Sequence, residues 1–256
     1  MRSPVGSIAT LLAVACAAYL VADLAHEAFG HGGVCLLLGG KSLLLSTTYE
    51  DCSIHSRLID GAGPLAGIAA ALLAWMWLRL APPKANAARA FLCLTFAYAI
   101  FWNVGYLIKS GLTDQGDWAF VIAGFEPRMA WHIGLTVLGI SLYAASMRLL
   151  GAAVLRSFPA EGEQGLRPLS FALTAYLAAG LLSAAGAFFD PRGVSTILTD
   201  ALPSSLGSIG LVWVGYRLNK RRLGLRIDIP RAPGWILAGL GCAIFFVAVL
   251  GPGLRS

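Results

Sequence analysis

Residues 26–31 read HEAFGH. Two imidazoles and a carboxylate this close together are the parts of a zinc hydrolase. Catalytic zinc takes three protein ligands and leaves a fourth position for water. Its charge draws the pKa of that water toward neutrality. A carboxylate beside the first ligand, here Glu27, can take the proton and later deliver it to a leaving amine. The familiar helical form is H-E-x-x-H, with its two His at i and i+4 on one face. In this chain His26 and His31 are five apart. Five residues of a regular α-helix turn about 500°, which leaves the two side chains about 140° apart. The pattern therefore demands a local widening. A π-bulge closes i to i+5 and is frequent at functional sites, and Gly30 loosens the helix where it would fall.

Asp23, His26, Glu27 and His31 all lie inside one long apolar run. Ionisable groups in hydrocarbon are costly and mark functional sites. Besides a metal site, the same groups suit a polar cluster packed against other spans, or an ion path. Asp23, one turn before His26, is the expected acceptor for the second ring nitrogen of that His. A third ligand must come from elsewhere. His55 and His132 are on the same side of the membrane by the topology below. The stretch LTDQGDWAF at 112–120 offers Asp114 and Asp117. Either Asp also suits the cap of a helix starting at Trp118.

These residues need elements to position them. The chain has 256 residues, 57% hydrophobic and 12% charged, with a mean hydropathy of +0.73. Soluble domains carry about 25% charged residues, so this chain belongs in a bilayer. Seven stretches are long enough to cross as helices: about 5–38, 62–80, 87–108, 129–150, 168–188, 196–217 and 233–251. Asp200 and Pro203 interrupt the sixth. Arg2 before an apolar run resembles a signal peptide, but no convincing cleavage site follows, and AVAC at 13–16 is a poor lipoprotein box. The segment reads as a retained first helix. Residues 41–60 are rich in β-branched and hydroxyl side chains and predict a short β-hairpin or extended loop. The fold class is an all-α polytopic membrane protein with that one β insertion. Residues 157–166 form a linker between a four-span core, 1–156, and a three-span region, 167–256. Pro64 reads as the first-turn proline of the second span. The five cysteines, at 16, 35, 52, 93 and 242, mostly sit in apolar runs and read as small hydrophobes.

Charge sets the orientation. Arg2, Arg79, Lys84, Arg89, Arg148, Arg156, Arg167, Arg217, Lys220, Arg221, Arg222, Arg226 and Arg231 fall on one side. Only Lys41, Arg57, Lys109, Arg128, Arg192 and Arg255 fall on the other. The positive-inside rule then puts the N-terminus in the cytoplasm and the C-terminus outside, in the plasma (inner) membrane of a bacterium. The run NKRRLGLR at 219–226 is a topology and headgroup signal, and nucleic acid is not an expected partner. Glu50, Asp51, Asp60, Asp114, Asp117, Glu126, Asp190 and Asp200 gather on the outer side, near the outer end of the first span.

The order of these features resembles the site-2 protease family of intramembrane zinc metalloproteases, over about residues 10–125. HEAFGHGGVCLLLGGKSL is similar to that family's zinc helix and the Gly-Gly-Lys turn after it. DGAGPLAGIAAALLAW is similar to its Ala-Gly-Pro segment, and WNVGYLIKSGLTDQGDW stands where its Asn and Asp-Gly segment stands. The resemblance implies Zn2+ held by His26, His31 and an Asp, with Glu27 as catalytic base. It implies a membrane-protein substrate, with Asn103 contacting the substrate backbone. Asp117 fits the third ligand better than Asp114, because Gly116-Asp117-Trp118 opens the next helical segment. The chain departs from the family in its H-E-x-x-x-H spacing, in Gly67 where Asn is usual, in Gly-Tyr after Asn103, and in Asp-Gln-Gly-Asp for Asp-Gly. Alternatives from other classes are a transporter using the His/Asp/Glu cluster as an ion path, and a non-catalytic relative that binds a membrane partner. An intramembrane serine protease built on Ser204, Ser205 or Ser208 with His132 lacks the G-x-S-G context.

Overall fold

In a computed structural model, residues 4–82, 85–158 and 165–255 are described. Most of the expected linker lies outside them, as do Arg2, Lys84, Glu161 and Glu163. Among the described residues, seven helices are long and apolar enough to cross a membrane: Ile8–Leu37, Arg57–Leu80, Ala87–Thr113, Arg128–Ser157, Pro168–Phe188, Ile197–Arg221 and Pro233–Leu250. This is the architecture of a helical membrane protein.

The first span has three parts. Helix α1 (Pro4–Leu24) widens into a π-helix over Ala25–Gly32 and tightens again as α2 (Gly33–Leu37). A three-stranded sheet follows, with β1 (Ser42–Leu45) and β2 (Glu50–Cys52) paired antiparallel. The second span, α3 (Arg57–Leu80), begins five residues earlier than its apolar run predicts. Ser56 caps it by accepting from the Leu58 amide at 3.2 Å, which satisfies one of the amides a helix start leaves open. Pro64 is consequently inside the helix rather than in its first turn. Helix α4 (Ala87–Thr113) leads through a tight turn to the short α5 (Asp117–Ile122), and α6 (Arg128–Ser157) completes the front half. The back half is α7 (Pro168–Phe188), then α8 (Leu202–Gly207) and α9 (Ile209–Arg221) in the sixth span, then α10 (Pro233–Phe245). Pro203 follows closely on a π-helical turn, Ile197–Ala201, within one continuous helical run, so it does not end the sixth span. A last strand, β3 (Leu254–Arg255), pairs with the free edge of β1 and gives the order β2-β1-β3. Two residues carry no periodic signal, which hid this strand from the sequence.

Helix α4 is the central element. Its most apolar window is 72% buried, against 28% for α6 and 17% for the last span. The rings of Tyr19, Tyr98, Phe96 and Phe101 are wholly buried around it, and the Tyr98 hydroxyl donates to the Ala175 carbonyl at 2.7 Å. The outer faces of α6 and α10 expose Ile133, Val137, Leu237 and Leu240, as hydrocarbon surroundings require. The end of the molecule that carries the sheet also carries the cluster of acidic groups around it, including Glu50, Asp117, Asp190 and Asp200.

The cysteines correct the sequence reading. Cys35 and Cys52 form a disulfide across 17 residues, tying α2 to β2. Their apolar neighbours made them look like core filler, while the hairpin brings their Cα atoms to 5.9 Å. Only Cys16, Cys93 and Cys242 are free. Thiol titration of the unfolded, unreduced chain should therefore find three thiols, rising to five after reduction. Cys52→Ser should destabilise the folded chain by about 3 kcal/mol, the loop-entropy value for a closure of this length, read by thermal unfolding.

The tip of the hairpin is tied to the loop after α7. Asp190 accepts hydrogen bonds from Ser46 Oγ at 3.0 Å and Thr48 Oγ1 at 2.7 Å. Burial alone would raise its pKa, but its bonds from Arg192 and Thr48 hold it below the ordinary 3.8. A carboxyl depressed by folding contributes stability above its unfolded pKa and loses it as pH falls through the folded one. Loosening of the hairpin tip should thus set in only below about pH 4, which amide hydrogen exchange at 46–50 between pH 3 and pH 6 would register.

Candidate metal centre

The π-helix solves the spacing problem of HEAFGH. By widening the turn it brings His26 and His31 together, with their Nε2 atoms 3.2 Å apart. Close backbone approach makes room for this. A Cβ on Gly30 would lie 2.5 Å from the Gly63 Cα. A Cβ on Gly63 would strike the His31 ring, and one on Gly67 would strike the Asn103 amide. The Gly63-x-x-x-Gly67 pattern of α3 is thus a smooth track on which the two polar side chains rest.

Each imidazole is locked from behind. Asn103 Nδ2 donates to the Ala99 carbonyl at 2.7 Å, which turns its Oδ1 toward His26. His26 Nδ1–H donates to that oxygen at 2.6 Å. His31 Nδ1–H donates to the Ile59 carbonyl at 2.7 Å. Both Nε2 atoms are therefore left as the free nitrogens, facing the same point. Trp102 stacks on the His26 ring, with centroids 4.6 Å apart, and Tyr106 meets its edge. His26 and Glu27 are 1% and 5% exposed.

Asp117 closes the group. Its Oδ2 lies 3.2 Å from His26 Nε2 and its Oδ1 lies 3.8 Å from His31 Nε2. Asp114 takes a left-handed conformation at the end of α4, and Gly116 takes another at φ 87°. Ser110 Oγ donates to the Gln115 carbonyl between them at 2.9 Å. This turn places Asp117 first in α5 with its carboxylate toward the histidines. Burial would raise the Asp117 pKa, but His26, His31 and Lys109 outweigh it and hold it below the ordinary carboxylate value. Glu27 Oε1 is 3.9 Å from His26 Nε2, and ligand atoms of His26, Glu27 and His31 all lie within 4.8 Å of one another.

Two unprotonated imidazole nitrogens and a carboxylate facing one buried point need a positive charge between them. A proton on His26 shared with Asp117 meets that need in one way, and a divalent cation in another. Tetrahedral zinc with Zn–N of 2.0–2.1 Å requires its ligand atoms about 3.3–3.4 Å apart. The 3.2 Å between nitrogens and 3.2 Å from His26 to Asp117 lie close to that requirement, and the 3.8 Å from His31 to Asp117 exceeds it, so Asp117 would have to draw in by a few tenths of an ångström. The Asp117 Oδ2 atom is shielded from solvent, and the group that faces it is His26 Nε2.

Three expected roles change. Asp23 does not orient His26: its two carboxylate oxygens are buried with no hydrogen-bond partner. The widening begins at Ala25 and breaks the α-helical register that would place Asp23 behind the ring. Asn103 fills that place, so its side chain serves the histidine instead of facing outward to a substrate backbone. Asp114 is not with the cluster: it pairs with Arg128 and lies 3.4 Å from His132 Nε2. That also accounts for His132, while His55 lines the cavity described next without joining the four residues. Ser204 is occupied by the Asp200 carbonyl and the Tyr106 hydroxyl. Sequence reasoning missed Trp102 and Tyr106. Their signal was their spacing, one turn apart on α4 and flanking Asn103.

The cluster opens into a cavity of about 600 Å³. Hairpin residues Thr48–Cys52 line it, with Tyr106, Lys109, Arg192 and Asp200. Burial raises the pKa of Glu50 in this wall, and neighbouring Asp51 adds to the rise. Compared with known protein families, curated proteins and solved structures, the chain has no match. Its site is therefore read from its own residues. Asn103→Leu keeps the volume but strips His26 Nδ1 of its acceptor. It should cost about 1–3 kcal/mol, the price of an orphaned buried donor, measured by thermal or denaturant unfolding in detergent.

Proposed function

We propose that this chain is a membrane-embedded zinc metallopeptidase that cleaves peptide bonds of membrane-protein substrates, related to the site-2 proteases it resembles. The observation that carries the reading is the convergence of His26 Nε2, His31 Nε2 and Asp117 on one buried point beside Glu27. His26, His31 and Asp117 would hold the metal. Zinc there supplies Lewis acidity and lowers the pKa of a coordinated water toward neutrality. Glu27, buried at the cavity, would take the proton of the attacking water on a carboxylate oxygen and pass it to the departing amine. Asn103 and Ile59 hold the two imidazoles in one tautomer, so neither ring reorganises during the reaction. The cavity admits a locally unwound peptide and water, while the packed spans around it exclude lipid.

Two independent features support a site facing outward from the cytoplasm. One is the excess of Lys and Arg at the opposite helix ends. The other is the Cys35–Cys52 disulfide beside the cavity, since disulfides persist in oxidising compartments. Together they favour a cytoplasmic N-terminus and a C-terminus on the oxidising side, as in the inner membrane of a bacterium.

A second reading has its own observation. Asp23 is a buried carboxylate without a hydrogen-bond partner, one turn from Glu27 in the same span, as an ion path would need. Metal analysis of the purified chain separates the two. The peptidase reading expects one zinc per chain, lost by more than about tenfold in His26→Ala and Asp117→Ala and kept in Asp114→Ala. Full zinc in His26→Ala would sink the site as drawn. Glu27→Gln should keep the zinc and lower cleavage of a co-expressed membrane substrate by at least about 100-fold. Zinc-dependent ion flux without any cleavage would favour the ion path.

A further inference from the structure

The three carboxy-terminal spans reach the cavity through the loop after α7. Arg192 sits there between four partners. Its Nε and Nη2 fork onto Asp190 at 3.0 and 3.1 Å. The same Nη2 donates to Thr48 Oγ1 at 2.6 Å, and the guanidinium lies 4.4 Å from the centre of the Tyr49 ring. Asp200 Oδ2 is 3.5 Å away. Asp190, whose side chain has no exposed surface, also accepts from Ser46, Thr48 and the Arg192 amide. Exposed ion pairs contribute little. This one has a fully enclosed carboxylate with several donors on it, the arrangement that makes charge-assisted bonds strong.

The hairpin needs such an anchor. Its strands have four and three residues, too few to hold shape alone. The disulfide pins its base at Cys52. Its tip, Ser46–Tyr49, is held by Asp190 and Arg192, and its outer edge by β3. Both of the latter supports come from the last three spans.

We propose that Arg192, seated by Asp190, is a positioning residue that fixes the hairpin wall of the cavity over the His26–His31–Asp117 cluster, so that the last three spans complete the site. The role assigned to the cluster rests on the metallopeptidase reading. The clamp on the hairpin does not.

The test uses the full chain in membranes and compares Arg192→Met, Arg192→Lys and Thr48→Val with the parent. The first measurement is the rate at which dithiothreitol reduces the Cys35–Cys52 disulfide, with released thiols trapped by maleimide. Arg192→Met and Thr48→Val should each speed reduction by at least about tenfold through local opening, with the global unfolding midpoint little changed. The double variant should speed reduction by less than the product of the two single effects, since both remove the Arg192–Thr48 bond. Arg192→Lys should recover part of the protection, because an ammonium keeps the charge but cannot fork. The second measurement is the rate of zinc removal by EDTA, expected to rise in the same order. Reduction within about twofold of the parent in both Arg192→Met and Thr48→Val would overturn the clamp. A parent chain that carries no zinc would strike the metallopeptidase reading and leave the disulfide measurement to decide the clamp.

Discussion

A helix that must present residues i and i+5 to one point has to widen, and the rest of the site follows from that one constraint. The π-helix at Ala25–Gly32 turns His31 back toward His26. A wider turn bulges toward its neighbour, and only two glycines in contact, Gly30 and Gly63, let α3 come close enough. Gly63 in turn leaves the space that the His31 ring occupies, and Gly67 leaves the space for Asn103. Asn103 then fixes His26. Three spans are thus locked to one another by a chain of contacts that begins with a single extra residue.

The same chain of contacts stores an electrostatic demand. Both imidazoles have their Nδ1 positions committed to oxygen acceptors, so their Nε2 lone pairs oppose each other across 3.2 Å with a carboxylate alongside. A packed apolar core would avoid such a cluster, because partly satisfied buried polar groups cost more than hydrocarbon. The fold accepts it and surrounds it with fixed partners, including Trp102 stacked on His26. Natural sequences break local rules of this kind at functional sites and compensate elsewhere.

Much of this was legible in the sequence. Seven apolar runs gave seven spans, because span length is set by bilayer thickness and little else. The hairpin was legible from its β-branched and hydroxyl content, and the need for a π-turn followed from counting residues between His26 and His31. Between Asp114 and Asp117 the sequence leaned to the second by the glycine before it, and the structure puts Asp117 beside His26 and Asp114 beside Arg128. The failures share a cause. Asp23 was judged by α-helical register, which the widening at Ala25 destroys. Asn103 acts on a residue 77 positions away, and Arg192 on one 144 positions away. Cys35 and Cys52 meet only because the hairpin folds back. In each case a tertiary contact decided what a local pattern could not.

A polar cavity among membrane-spanning helices must admit water and exclude lipid, and the sheet shows how one chain meets both demands. Irregular backbone is tolerated at membrane depth only where protein covers it or where it lines a water-filled cavity. Strand β2 and the residues before it line the cavity with Thr48, Tyr49, Glu50 and Asp51, so their polar groups face the site. The other side of the sheet is covered by β3, and the tip by Asp190 and Arg192. The front four spans supply the cluster, but they cannot by themselves cover the edge and the tip of the hairpin that walls it. Polar access to the cluster and closure against hydrocarbon are therefore properties of the two halves of the chain together.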